Sequence, residues 1–214
     1  MSHDNLASKL RSATHEAHRE AERAGVMAEF LRGTLSLSGY QQLLVNLRQV
    51  YAALESALDK HFHDAPLDAF GLAALKRGEA LDADLRELGV ASNDLGLMLP
   101  LTQEFCSRIT LLADSPELLI AHAYVRYLGD LNGGQTLKRL VAKTYPGPVA
   151  KATSFYQFGD EAAVAGLIGR FREALKEIPD RNGLHQRIID EALLSFDFHR
   201  RLFVSLAEPL KSPR

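Results

Sequence analysis

Hydrophobic positions recur at three- and four-residue spacing along almost the whole chain, the period of a helix with one buried face. Alternation of the kind a half-buried strand needs is absent at any useful length. The pattern predicts a first helix from Leu6 to Arg23 and a short one over Met27 to Leu31. A long helix follows through YQQLLVNLRQVYAALESALDKHF, Tyr40 to Phe62, with Ser38 placed to cap it. Further helical periods run from Leu72 to Leu88 and from Thr102 to Leu112. DSPELLI opens the next helix, with Ser115 at the N-cap and Pro116 at the first helical position. Segments from Glu161 to Ile178 and Gly183 to Leu206 complete the set. The strongest break, YPGPVA at Tyr145 to Ala150, is too short for a flexible linker, and neither repeats nor low-complexity stretches occur. The expectation is one all-α domain over residues 1–214, its core built from helical layers.

One helix breaks its own pattern. YVRYLGDLNGGQTLKRL, Tyr124 to Leu140, carries Gly129, Gly133 and Gly134 in its middle, each costing about 1 kcal/mol relative to alanine. On a wheel of about 100° per residue, Ile120, Tyr124, Tyr127 and Leu131 form the stripe that packs inward. Gly129 and Gly133 stack on another side, flanked by Arg126 and Asp130. Backbone without side chains admits either a close helix crossing or a flat ligand, and glycine also permits a kink. A phosphate cradle does not fit, because GDLNGGQ lacks the lysine and spacing of a P-loop and follows no strand.

Composition narrows the classes. Lys and Arg number 25 against 27 Asp and Glu, a net charge of −2 with no long block of one sign, which gives no nucleic-acid footprint. Cys106 is the only cysteine, so no internal disulfide forms and a reducing, cytoplasmic setting is expected. MSHDNLASKL has no signal-peptide core, no apolar run approaches a membrane span, and AEPLKSPR offers no anchor.

The chemistry sits in LRSATHEAHREAER. Leu6, Leu10, Ala13, Ala17 and Ala21 make its buried stripe, Thr14 and His18 lie at the stripe's edge, and His15 faces water. Glu22, one turn beyond His18, is near enough to hold one ring nitrogen, which fixes the tautomer and raises the basicity of the other. A plain surface salt bridge between the two has the same spacing. A di-iron site is not supported, since the expected pair of Glu-x-x-His motifs is missing. Taken together, a single histidine backed by a carboxylate and a glycine-lined face with an acid and an arginine suit a flat, iron-holding cofactor, haem, lying between the two helices.

These segments resemble the haem oxygenases, in order and over nearly the whole chain. LRSATHEAHREAE resembles the family's proximal helix, with His18 at the iron-ligand position and Glu22 at its partner's. YQQLLVNLRQVYAALESAL is similar to the second long helix, and LLIAHAYVRYLGDLNGGQ to the distal-helix signature. RFREALKEI and FDFHRRLFVSL match more loosely. The resemblance implies a haem oxygenase-like fold in which haem, both cofactor and substrate, is opened by O2 and external electrons to biliverdin, carbon monoxide and ferrous iron.

It further implies that Asp130 orders water for proton delivery, with Arg126, Tyr51 and Tyr127 in the same network. Arg11, Tyr124 and Arg172 fall at propionate contacts, and Thr14, Gly129 and Gly133 at the haem pocket, while Phe203, with Phe196, is either a pocket or a core aromatic that spacing does not decide between. A ferredoxin or flavoprotein reductase is the implied electron donor. Three positions depart from the family pattern: His15 and Ile168 stand where some members carry lysine, and His199 where asparagine is frequent. His199 is left as either a member of the water network or a core histidine. A non-catalytic haem carrier would share His18 and the pocket but would not need Asp130.

Overall fold

Thr14 interrupts what the periodicity predicts as one helix. The computed structural model describes residues 5–61 and 67–207, apart from the side chain of Pro148. In it α1 spans Leu6–Ala13 and α2 spans His15–Glu22. At the junction the Thr14 hydroxyl lies 2.8 Å from the Leu10 carbonyl and 3.1 Å from the Tyr124 hydroxyl. A threonine competing for the carbonyl one turn back loosens a helix at that point. Thr14 is therefore buried, while Ala13, expected in the buried stripe, is exposed.

The next helix, α3, is longer than expected and spans Gly25–Arg32. Ser36, rather than Ser38, caps α4, Leu37–Asp59, its hydroxyl accepting the Gly39 N–H at 3.1 Å. Phe62, the expected end of this helix, lies outside the described residues. The segment read as one helix from Leu72 to Leu88 divides into a 3-10 turn, Leu72–Leu75, and α5, Gly78–Glu87. Glu55 causes the division by accepting the backbone N–H groups of Arg77 and Gly78, which a continuous helix would have used.

Helix α6 spans Pro100–Leu111 and α7 spans Pro116–Ala123, where Ser115 holds the cap position without a capping side-chain bond. A π-helical turn, Tyr124–Leu128, joins α7 to α8, Gly129–Thr144. Two 3-10 turns, Gly147–Lys151 and Ser154–Tyr156, occupy the Pro/Gly break. Helices α9, Glu161–Glu177, and α10, Leu184–Ala207, end the order. Among the described residues there is no strand, and no helix is long and apolar enough to cross a membrane. The fold is all-α and single-domain.

Two layers carry the site. Helix α10 packs along α2, α3 and α7, and α4 packs against α5, α6 and α7. Tyr40, Tyr51, Tyr127, Phe30, Phe105 and Phe155 are fully buried between them. Each such ring contributes on the order of 2–3 kcal/mol of burial energy. Buried polar groups set the register. Asn46 donates to the Gln42 and Leu97 carbonyls and accepts from the Leu99 N–H and the Thr102 hydroxyl, fixing α4 to the start of α6. Asp84, fully buried, accepts the N–H groups of Ser154 and Phe155 at 2.7 and 2.8 Å, and so pins the turn between α8 and α9.

Glu191 on α10 joins three helices. It takes a two-pronged bond from Arg108 of α6 and lies 2.9 Å from Nε2 of His122 on α7. Burial alone would raise this carboxyl, but His122 and Arg108 outweigh it and hold the pKa at about 2. The folded pKa thus lies below the unfolded one, so the stabilisation is present above about pH 4.5 and is lost as pH falls toward about 2. Urea unfolding of the native chain between pH 6 and 2 should show this acid loss, and Glu191→Gln should flatten that part of the curve. Parallel curves would mean that Glu191 is not held down.

Gly25 provides a second check. Its φ of +40° and the Phe203 carbonyl oxygen, 1.8 Å from where a Cβ would stand, leave no room for a side chain at the α3–α10 contact. Gly25→Ala should cost about 3 kcal/mol or more in urea unfolding. A cost under about 1 kcal/mol would mean that α3 does not seat against α10 in this way.

Candidate active site

His18 and the bare glycine face meet across one cavity of about 340 Å³. Helix α2 contributes His18, Ala21 and Glu22, and α3 contributes Met27 and Leu31. Arg126 of the π turn and Gly129, Asp130 and Gly133 of α8 line the same cavity. Leu43 and Leu47 of α4, Phe155 and Tyr156 of the pinned turn, and Phe196, His199 and Phe203 of α10 close the remaining sides.

The glycines separate into two groups. A Cβ at Gly129 or at Gly133 would meet nothing within 4 Å, whereas one at Gly134 would stand 3.3 Å from the Tyr156 carbonyl oxygen. Gly134 therefore serves a close backbone crossing, and Gly129 and Gly133 leave the cavity wall without side chains. The helical irregularity lies upstream of the glycines, in the Tyr124–Leu128 π turn. Such single wide turns recur at functional sites.

Behind the glycine wall three groups close a ring. Arg126 donates from Nη2 to Asp130 Oδ1 at 2.9 Å and from Nε to the Tyr51 hydroxyl at 3.0 Å, and Tyr51 in turn donates to Asp130 Oδ2. Asp130 is buried, and that burial raises its pKa above the usual carboxylate value against the opposing pull of Arg126, Tyr51 and Arg77. Arg126 and Tyr51 hold this carboxyl at the cavity wall. Tyr127 is farther back. Its ring stands 5.9 Å from that of Tyr51 and its buried hydroxyl has no hydrogen-bond partner among the described residues, so it meets the network there through the ring.

His18 Nδ1 lies 3.7 Å from Glu22 Oε2, longer than a hydrogen bond, and both side chains are half exposed. The edge of Phe196 meets the His18 ring at 5.9 Å. This leaves Nε2 as the histidine nitrogen free to ligate. The remaining expected residues stand off the cavity lining. Thr14 and Tyr124 bond to each other where α1 meets α2. Burial raises the Tyr124 pKa, and its hydrogen bond to Thr14 and the charges of the exposed Arg172 and Arg11 oppose that rise. His15 is exposed and Ile168 packs partly buried against the core.

Sequence reasoning missed Phe155 and Tyr156, which form one wall, and Asp84, which positions them. Nothing in their local pattern marks them, since their place depends on a contact 70 residues apart. His199 lines the cavity and is buried, with Nδ1 2.7 Å from the Ser195 carbonyl oxygen.

Comparison with known proteins agrees with this geometry. The family model described as heme oxygenase matches residues 4–205. Heme oxygenase 1 of Nostoc sp. is 34% identical over 204 residues, covering 94% of this chain and 86% of the relative. The solved heme oxygenase of Leptospira interrogans superposes with a TM-score of 0.87 at 32% identity, over 94% of this chain and 99% of that one. Heme oxygenase-1 of Synechocystis sp., solved in complex with heme, gives 0.85 at 32% identity, over 94% and 92% of the two chains. The all-α fold, the facing histidine and glycine walls, and these full-length relatives lead to one conclusion: the chain belongs to the haem oxygenase family, whose members bind haem, and it has that family's enzymatic function.

Proposed function

We propose that the cavity takes haem as both cofactor and substrate, with O2 as co-substrate, and that the products are biliverdin, carbon monoxide and ferrous iron. The open space at Gly129 and Gly133, facing His18 across the same cavity, carries this reading. A flat macrocycle would fit against a wall without side chains, with His18 on the same cavity to hold its iron, and the residues present fit that group. When bound, the haem iron supplies the oxygen activation, and the protein supplies orientation, protons and exclusion of competing reactions.

In this reading His18 Nε2 would hold the iron, and Glu22 would orient the imidazole through Nδ1 and moderate its donation. Asp130 holds a proton and an ordered water beside the cavity, while Arg126 and Tyr51 keep its carboxyl in place. Tyr127 backs the Tyr51 ring. Gly129 and Gly133 would leave room for oxygen beside the bound ring, and Phe203 would close the wall. Arg11, Arg172 and Tyr124 receive the propionates, with Thr14 orienting the Tyr124 hydroxyl. Electrons come from a ferredoxin or flavoprotein reductase. The whole chain, residues 1–214, acts as one domain in a reducing, cytoplasmic setting.

Absorption titration with haemin, followed by reductant in air, tests the reading. The native chain should give a saturable Soret band that gives way to a biliverdin spectrum. His18→Ala should lose the native band, and Asp130→Ala should bind haemin but form biliverdin about 10²-fold more slowly or worse. Binding without breakdown in the native chain would leave a carrier instead.

The glycines yield a separate prediction. Gly133→Ala should stabilise the protein without haem by about 0.5–1 kcal/mol, because the helix gains and nothing clashes. The same variant should weaken haemin binding or slow turnover. A variant that is stabilised and fully active would show that the bare wall does not face the ligand.

A further inference from the structure

Arg77 is a buried guanidinium whose hydrogen bonds, among the described residues, all go to backbone carbonyls. Buried cations are ordinarily matched to a carboxylate, so four carbonyls in its place call for a reason. Nε donates to the Leu75 and Lys76 carbonyls at 3.1 and 2.6 Å, which fixes the side chain against its own stretch of backbone. Nη1 reaches across to the Gln157 carbonyl at 2.7 Å and the Phe155 carbonyl at 3.4 Å. The guanidinium also lies over the Phe158 ring, 3.8 Å from its centre. The backbone N–H of Arg77 is itself held by Glu55, one turn beyond Tyr51 on α4.

The turn that Arg77 reaches is also pinned from the other side. Asp84, two turns along α5 from Arg77, takes the Ser154 and Phe155 N–H groups. An anion thus holds the donors of the turn and a cation its acceptors, both from one face of one helix. Neither residue lines the cavity, but Phe155 and Tyr156 do. The Phe155 ring meets Tyr51 edge-on at 5.5 Å, and the Tyr156 carbonyl abuts Gly134 of α8. The turn is wedged between α4 and α8, and its depth sets how far these two rings reach into the cavity.

We propose that Arg77 is a positioning residue for the flat ligand of this cavity: with Asp84 it clamps the turn at residues 154–157, and the clamp sets the in-plane seat of the ring through Phe155 and Tyr156. The inference rests on the haem-degrading reading of the same cavity. Haem is a nearly symmetric disc whose meso carbons differ mainly in their place around the rim. A slide or rotation within the plane therefore changes which of them is opened. An apolar wall fixed in depth resists such a slide, and one that rocks admits several seats. Lysine does not replace arginine here, because a single ammonium has no planar fork to bind carbonyls on both sides at once. Arg77 touches no ligand atom and acts only through the turn.

Two measurements test this. In the protein without haem, amide hydrogen exchange of Arg77→Lys should quicken about tenfold or more at residues 154–157 and stay within about twofold of native in α4 and α10. Native exchange at the turn would overturn the clamp whatever the turnover data show, as would a rise spread evenly over the chain, which signals lost stability alone. In the haemin-loaded enzyme, Arg77→Lys should change the distribution of biliverdin isomers, with the main minor isomer rising about threefold or more. Ile109→Val, a buried core change in α6, should keep the native distribution. An unchanged distribution in Arg77→Lys, or the same change in Ile109→Val, would overturn the positioning role. Should Arg77→Lys not fold, Phe158→Leu, which removes only the ring under the guanidinium, is read in the same two ways. Quickened exchange confined to the turn and a shifted distribution are expected of it, and native behaviour in either overturns the proposal. Native protein that binds haemin and leaves it intact would overturn the haem-degrading reading itself, a failure that exchange in the protein without haem cannot mimic.

Discussion

A carboxyl buried beside an apolar cavity is the constraint around which this molecule is arranged. Asp130 could not be buried unpartnered without losing more energy than a helix contact returns, and the structure meets it on two sides. Arg126 comes from the same helical segment one turn earlier, and Tyr51 comes from α4. The distal segment, α4 and the cavity are therefore positioned together. Their contact leaves a carboxyl whose raised pKa comes from burial and is limited by its partners. The same contacts that keep the site folded hold that carboxyl beside the cavity.

The walls around that carboxyl are held from outside. Glu191 ties α10 to α6 and α7, so the helix that carries Phe196, His199 and Phe203 cannot slide along the distal segment without breaking a buried ion cluster. Asp84 does the corresponding work for Phe155 and Tyr156. The Tyr156 backbone then packs on Gly134, one residue beyond the open glycine face. Three neighbouring glycines thus have two causes: one lets backbones cross, and two keep a surface bare.

Helix existence was legible along the chain because a 3.6-residue period survives wherever one face is buried. Helix ends were less so. Thr14, Ser36 and the Arg77–Gly78 junction were each decided by a hydroxyl or carboxylate choosing between the backbone and another partner. The site was legible where its chemistry is local. His18 with Glu22, and Arg126 with Asp130, sit one turn apart and can be read from spacing alone. Tyr127, Thr14, Tyr124, Arg11 and Arg172 were named by resemblance. In the structure they stand behind or beside the cavity, where spacing had no means of ranking their distance from it.

The sequence by itself determined the all-α architecture, the histidine-bearing and glycine-bearing helices, and their kinship with haem oxygenases. Each of these is written in a period or a motif of a few consecutive turns. Only the tertiary structure decided which glycines face open space, that Tyr51 closes the ring on Asp130, and that Phe155 and Tyr156 wall the cavity. The physical reason is common to all three. Each depends on what a distant part of the chain brings within hydrogen-bond or van der Waals distance, and no local pattern encodes that meeting.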